Sequence, residues 1–142
     1  MIQCVTPLVP LFIQHVIEQK AGPLAYMPTR APFGYRYLSY AWDAAGKRLT
    51  IRLHDRHYTA SNANRTVAVT AEWFGGSLPT CGDGNEQSYQ VDGNKVFSAG
   101  GDLAWRCVRG AGGRVVKILA AGRNLPTSAL AIVASSVRRL QA

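Results

Sequence analysis

At 142 residues, 47% of them hydrophobic and 17% charged, the chain is sized for one domain and is too apolar for a disordered tail. Sixteen Lys and Arg against eight Asp and Glu leave a formal charge of +8, which suits anionic partners: lipid headgroups, acidic polymers or nucleic acid. The basic residues are scattered from Lys20 to Arg139, which reads as a solvated basic surface ahead of a nucleic-acid stripe. No stretch reaches the roughly 18 to 20 apolar residues of a membrane span.

Residues 4–17 are apolar but contain Pro7, Pro10, Gln14 and His15, and they lack a basic n-region and a small-x-small cleavage site. The segment could be the remnant of an export signal. Met1, Ile2 and Gln3 lack the small-residue pattern that precedes a lipidated cysteine, so lipidation of Cys4 is not supported. From Val9 onward, Val9, Phe12, Ile13, Val16 and Ile17 recur at helical spacing and predict a helix with one apolar face. Lys20 in the last turn, Gly22 as a cap and Pro23 as a stop end it. The prolines at 23, 28 and 32 then hold the chain extended, as a strand edge or a wrapping arm.

Residues 36–42 alternate, with Leu38, Tyr40 and Trp42 against Arg36 and Ser39, and Asp43-Ala44-Ala45-Gly46 supplies a hairpin turn. Residues 48–54 alternate without exception, Leu49, Ile51 and Leu53 inward and Arg48, Thr50, Arg52 and His54 outward. Val67, Val69, Ala71 and Trp73 form the next inward row. Cys81 and Cys107 bracket a polar loop rich in Gly, Asp and Asn that has few other means of being held, so a disulfide is expected between them, with Cys4 left over. Asp92-Gly93-Asn94 is a tight hairpin between residues 87–91 and 95–98. Leu103, Trp105 and Cys107 read as a further inward row, and Gly110 to Gly113 turn the chain into residues 114–121. Pro126 opens a closing helix with Leu130, Val133, Val137 and Leu140 at core spacing, and Arg138 and Arg139 fall in its last turn.

The prediction is a single α+β domain over residues 1–142: an N-terminal helix over 1–21, then an antiparallel meander of about seven strands plus the closing helix over 23–140. Tyr26-Met27-Pro28-Thr29-Arg30-Ala31-Pro32-Phe33-Gly34-Tyr35 resembles the Pro-x-x-x-Pro-x-Gly-Tyr opening of a bacterial extracytoplasmic domain of unknown function found in anti-sigma-factor-associated and lipoprotein-like proteins. Leu125-Pro126 followed by Leu130, Ile132-Val133, Ser136 and Leu140 looks like that family's closing helix. The resemblance implies a sensing or binding module in the cell envelope and carries no catalytic residues.

The polar clusters are weak as chemistry. In His54-Asp55-Arg56-His57, His54 and Asp55 could act as base and orienting carboxylate, or His54 and His57 could share a metal, but residues three apart on a strand face opposite sides. Cys81-Gly82-Asp83-Gly84-Asn85-Glu86 offers oxygens to calcium yet lacks the remaining EF-hand positions and reads as a turn. Ser77, Ser98 and Ser128 sit in no nucleophile elbow, and no phosphate-binding glycine loop occurs. Cofactors and metals are not expected.

Tyr26, Phe33, Tyr35, Tyr37, Tyr40 and Trp42 crowd one stretch at both odd and even positions. Some of these rings should therefore face away from the main core, to be covered by the closing helix ahead of a ligand. The resulting reading is a non-enzymatic extracytoplasmic binding or sensing domain. Tyr35, Tyr37, Tyr40 and Trp42 would meet a lipid-like ligand or a protein partner. Two alternatives stand beside it: a nucleic-acid-binding module using Arg36, Arg48, Arg52 and Arg56, and a small hydrolase built on His54 and Asp55.

Overall fold

The computed structural model describes residues 7–55, 65–82 and 86–140. Helix α1 (Leu11–Ala21) is followed by strands β1 (Tyr26–Met27), β2 (Tyr35–Asp43), β3 (Arg48–Asp55), β4 (Thr66–Phe74), β5 (Gln87–Val91), β6 (Asn94–Ser98), β7 (Leu103–Arg109) and β8 (Val115–Gly122). Helix α2 (Thr127–Ser136) and strand β9 (Arg138–Arg139) complete it. Seven strands form one antiparallel sheet in the order β2-β3-β4-β8-β7-β6-β5, two meanders joined at β4 and β8, so the α+β expectation holds. Short β1 and β9 form a separate ribbon.

Both helices lie on the same face of the sheet. Leu49, Ile51 and Leu53 from β3, Val67, Val69 and Ala71 from β4, and Val116, Ile118 and Ala120 from β8 make one cluster with Ile17 of α1 and Leu130 and Val133 of α2. The strand positions of this cluster are 0–2% exposed, the burial expected of a sheet covered on that side. The expectation that the closing helix would cover a second aromatic face is thereby overturned: α2 lies on the same side as α1.

The reason sits in β2. Tyr37 pairs with Leu53, but Ser39 pairs with Arg52, so Leu38 is an extra, bulged residue. The bulge reverses the alternation midway. Tyr35 and Tyr37 before it, and Tyr40 and Trp42 after it, stand opposite Asp55, Leu53, Ile51 and Leu49 and share their inward face.

Other expectations shift as well. Phe12 was placed on the apolar face of α1 but is 70% exposed; the helix begins at Leu11 and buries Ile17 and Ala21 instead, while Val9 is buried ahead of it. Gly22 holds φ +53° and its N–H returns to Glu18, the stop anticipated from Gly22-Pro23. Leu103, Trp105 and Cys107 face outward, opposite Ala121, Leu119 and Lys117, and the inward row of β7 is Ala104, Arg106 and Val108. Trp105 is buried all the same, because the loop at Leu78–Thr80 and Cys81 folds over it and the indole N–H donates to the Cys81 carbonyl at 2.9 Å. Asp92 (φ +50°) and Gly93 (φ +81°) make the two-residue turn between β5 and β6.

Arg138 and Arg139 are not in the last turn of α2, since that helix ends at Ser136 and Val137 is already extended. The Ser136 hydroxyl donates to Val133 O at 2.8 Å and accepts from the N–H of Arg30 at 3.1 Å and of Thr29 at 3.2 Å. These bonds recruit the arm before β2 and free the chain to pair as β9, Tyr26 opposite Arg139 and Met27 opposite Arg138. Next door, the Ser135 carbonyl accepts from Arg106 at 2.9 Å and Arg138 at 2.8 Å, cations that complement the negative end of the helix dipole. Burial lowers the Arg106 pKa and Arg138 beside it lowers it further, while Tyr26 opposes the shift.

Cys81 and Cys107 are disulfide-bonded, with Cα atoms 6.0 Å apart. Unfolded without reductant, the chain should show one reactive thiol from its three cysteines, and three thiols would refute the bridge. Replacing the pair by serine should lower unfolding free energy by about 3 kcal/mol in urea titrations. Deleting Leu38 removes only the extra residue and should leave Tyr40 and Trp42 opposite Ile51 and Leu49, so the unfolding free energy should change by less than about 1 kcal/mol in urea titrations. A loss of more than about 3 kcal/mol in that deletion would show that Leu38 is a paired residue of the strand and that the inward rings depend on it.

Candidate functional site

The inward face of β2 ends at Trp42, and that of β4 at Trp73. They lie at the same end of the sheet, where Trp42 pairs with Leu49 and Leu49 with Ala71, two residues before Trp73. Here the covering layer runs out: α1 has ended and the short turn Gly22–Leu24 descends toward the arm. The result is a groove of about 360 Å³ with Trp42 and Trp73 in its wall beside Pro23 and Leu24. Three cations border it from three separate elements. Lys20 comes from the last turn of α1, Lys47 from the β2–β3 turn, and Arg114 from the residue before β8. Among the described residues no carboxylate lines it.

The Arg114 guanidinium lies 3.8 Å from the centre of the Trp73 ring, and Lys20 Nζ lies 5.6 Å from that of Tyr40. These cation–π contacts hold the charges at the rim without neutralising them, as a carboxylate would. The groove therefore combines flat aromatic surface with uncompensated positive charge, a setting for an anion that carries a flat or apolar body.

Of the four aromatics expected to bind ligand, only Trp42 borders this groove. Tyr35, Tyr37 and Tyr40 are half-buried and packed against the core. Burial raises the Tyr37 pKa, with Tyr40 adding to it, and raises that of Tyr35, with Asp55 adding and Arg65 opposing. Tyr26 is raised by burial too, against the pull of Arg139 and Arg106.

The arginines expected to bind anions do lie on the outward face: Arg36 opposite His54, Arg52 opposite Ser39 and Ala68, and Arg48 opposite Asp43. Arg48 is engaged, its guanidinium 2.9 Å from Glu72. Arg56, like His57 and the 83–85 segment of the cysteine loop, lies outside the described residues. His54 and Asp55 project to opposite faces; Asp55 is inward, 8% exposed and 2.8 Å from Arg65, so the strand does not present them as one catalytic pair. Among the described residues no three His, Cys, Asp or Glu side chains gather as a metal site.

Sequence reasoning missed Trp73, which it assigned to the core row, and the three cations, which are far apart along the chain. A tryptophan at the last inward position of a strand, followed by Gly75-Gly76, was the available signal, since inward rings at strand ends are only half covered. Comparison with protein-family models, with curated proteins and with solved structures finds no match.

The three raised tyrosines give an alkaline prediction. Each phenol is held neutral by the fold above its ordinary value near 10, so the native state keeps protons that the unfolded chain releases, and stability falls as pH rises through 10. The urea midpoint should hold steady to about pH 9 and drop above about pH 10. Ultraviolet titration of the native protein should show part of the six-tyrosine signal ionising late. Simultaneous ionisation of all six near 10 would place Tyr35 and Tyr37 in solvent.

Proposed function

We propose that this protein is a non-enzymatic binding module that holds a small anionic ligand with a flat apolar face in the Trp42–Trp73 groove. The observation carrying this reading is the meeting of two tryptophans with Lys20, Lys47 and Arg114 around about 360 Å³ of space, with no lining carboxylate among the described residues. A purely structural aromatic pair would not require three cations from three elements. Hydrolytic chemistry at His54 and Asp55 is disfavoured by their opposite orientations. A nucleic-acid role for the outward arginines is weakened by the Arg48–Glu72 pair.

We place the module outside the cytoplasm. The Cys81–Cys107 bridge supports this, because such bridges persist in oxidising compartments. Among the described residues no helix is long and apolar enough to cross a membrane. The likeness of residues 26–35 to an extracytoplasmic sensing domain points the same way.

Naphthalene-2-sulfonate is a suitable probe, with naphthalene methanol as its uncharged counterpart. The sulfonate should quench part of the tryptophan emission while Trp105, buried under the Cys81 loop, stays unquenched. Trp42→Ala and Lys47→Ala should each weaken binding by about tenfold, the scale of one lost aromatic or charged contact. Equal affinity for the uncharged counterpart, or binding untouched by both substitutions, would reject the groove as the seat.

A further inference from the structure

A second concavity, of about 270 Å³, lies where the residues leading into α1 meet the β1–β9 ribbon. Its apolar lining is Leu8, Val9, Met27, Pro28 and Leu140, and Arg138 and Arg139 border it from the ribbon. Just beyond Val9, in the first turn of α1, Leu11 and Phe12 are 63% and 70% exposed. Among the described residues no acidic side chain lines this groove, and none occupies that first turn, so the positive end of the α1 dipole adds to the two arginines.

A single exposed leucine means little, but two consecutive large apolar side chains, in the stretch between the lining residues Val9 and Gln14, are costly to leave in water. Their setting matches the boundary of a bilayer, where apolar side chains enter the headgroup–acyl region and guanidinium groups meet lipid phosphates. A rigid protein partner would need a pocket shaped to Leu11 and Phe12, whereas acyl chains yield to them. The Arg138 guanidinium uses one nitrogen on the carbonyls of Ser135 and Val137, and its remaining N–H groups can still reach a phosphate.

We propose that this end of the molecule docks on anionic bilayers, with Leu11 and Phe12 inserted and Arg138 and Arg139 facing the phosphates. This surface is separate from the Trp42–Trp73 groove, and either can fail without the other.

The test is cosedimentation of the full chain with vesicles of phosphatidylcholine alone or mixed with phosphatidylglycerol, with thermal melts to confirm that the variants fold. Expected are binding to the mixed vesicles, little to the neutral ones, and loss at high salt. Leu11→Glu with Phe12→Glu should lower partitioning by at least about tenfold, and Arg139→Gln by about fivefold, the share of one surface charge. No binding to mixed vesicles, equal binding to neutral ones, or mixed-vesicle binding unchanged in the folded double variant would overturn the proposal. The last outcome would reduce the effect to attraction by the overall positive charge.

Discussion

One extra residue in β2 decides which way four aromatic rings point. With Leu38 bulged out of the β2–β3 pairing, Tyr35, Tyr37, Tyr40 and Trp42 all fall on the face of Leu49, Ile51 and Leu53. Were Leu38 paired in the ladder instead, the second pair would stand among Arg48, Thr50 and Arg52. That choice commits the molecule to a core on one side of the sheet. Tyr40 then meets Lys20 of α1, and Trp42 reaches the place where the covering layer stops. The Trp42–Trp73 groove is thus a consequence of register: the inward row is longer than the helix that covers it.

The second organising feature is the end of α2. Two small hydroxyl residues there do work that an apolar helix end could not. Ser135 gathers Arg106, Arg138 and Asn94 onto its backbone and side-chain oxygens, and its own hydroxyl donates to Val91 at the edge of the sheet. Ser136 collects the N–H groups of Thr29 and Arg30. Buried polar groups are tolerated when every partner is present, and this knot joins the arm before β2, the β5–β6 hairpin and the end of the chain into one unit. It also turns Arg138 and Arg139 out of the helix and into the ribbon beside Met27.

Charge is organised by these same two features. The formal +8 is diffuse along the chain, yet folding sets Lys20, Lys47 and Arg114 around one aromatic groove and Arg138 and Arg139 beside one apolar groove. The outward face of the sheet has cations too, but there Arg48 meets Glu72, and Lys117 lies 5.5 Å from the centre of the Trp105 ring. In both grooves the charge is concentrated next to apolar surface, which bears on binding more than its total does.

Local rules were enough for much of this protein. The α+β class, the alternation of β3 and β4, the Asp92-Gly93 turn and the Gly22-Pro23 stop each rest on neighbouring residues whose backbone preferences agree, and the pairing of Cys81 with Cys107 was legible from the polar loop they enclose. What those rules could not supply was which side of the sheet each row takes. Leu103, Trp105 and Cys107 alternate as a core row should, but the register with β8 turns them outward, and a loop from elsewhere buries the tryptophan. Leu38, Ser136 and the grouping of Trp42 and Trp73 with their cations depend likewise on strands and arms distant in the chain. A two-residue period marks two faces without labelling them, and only the partner strand and the covering layer break that symmetry.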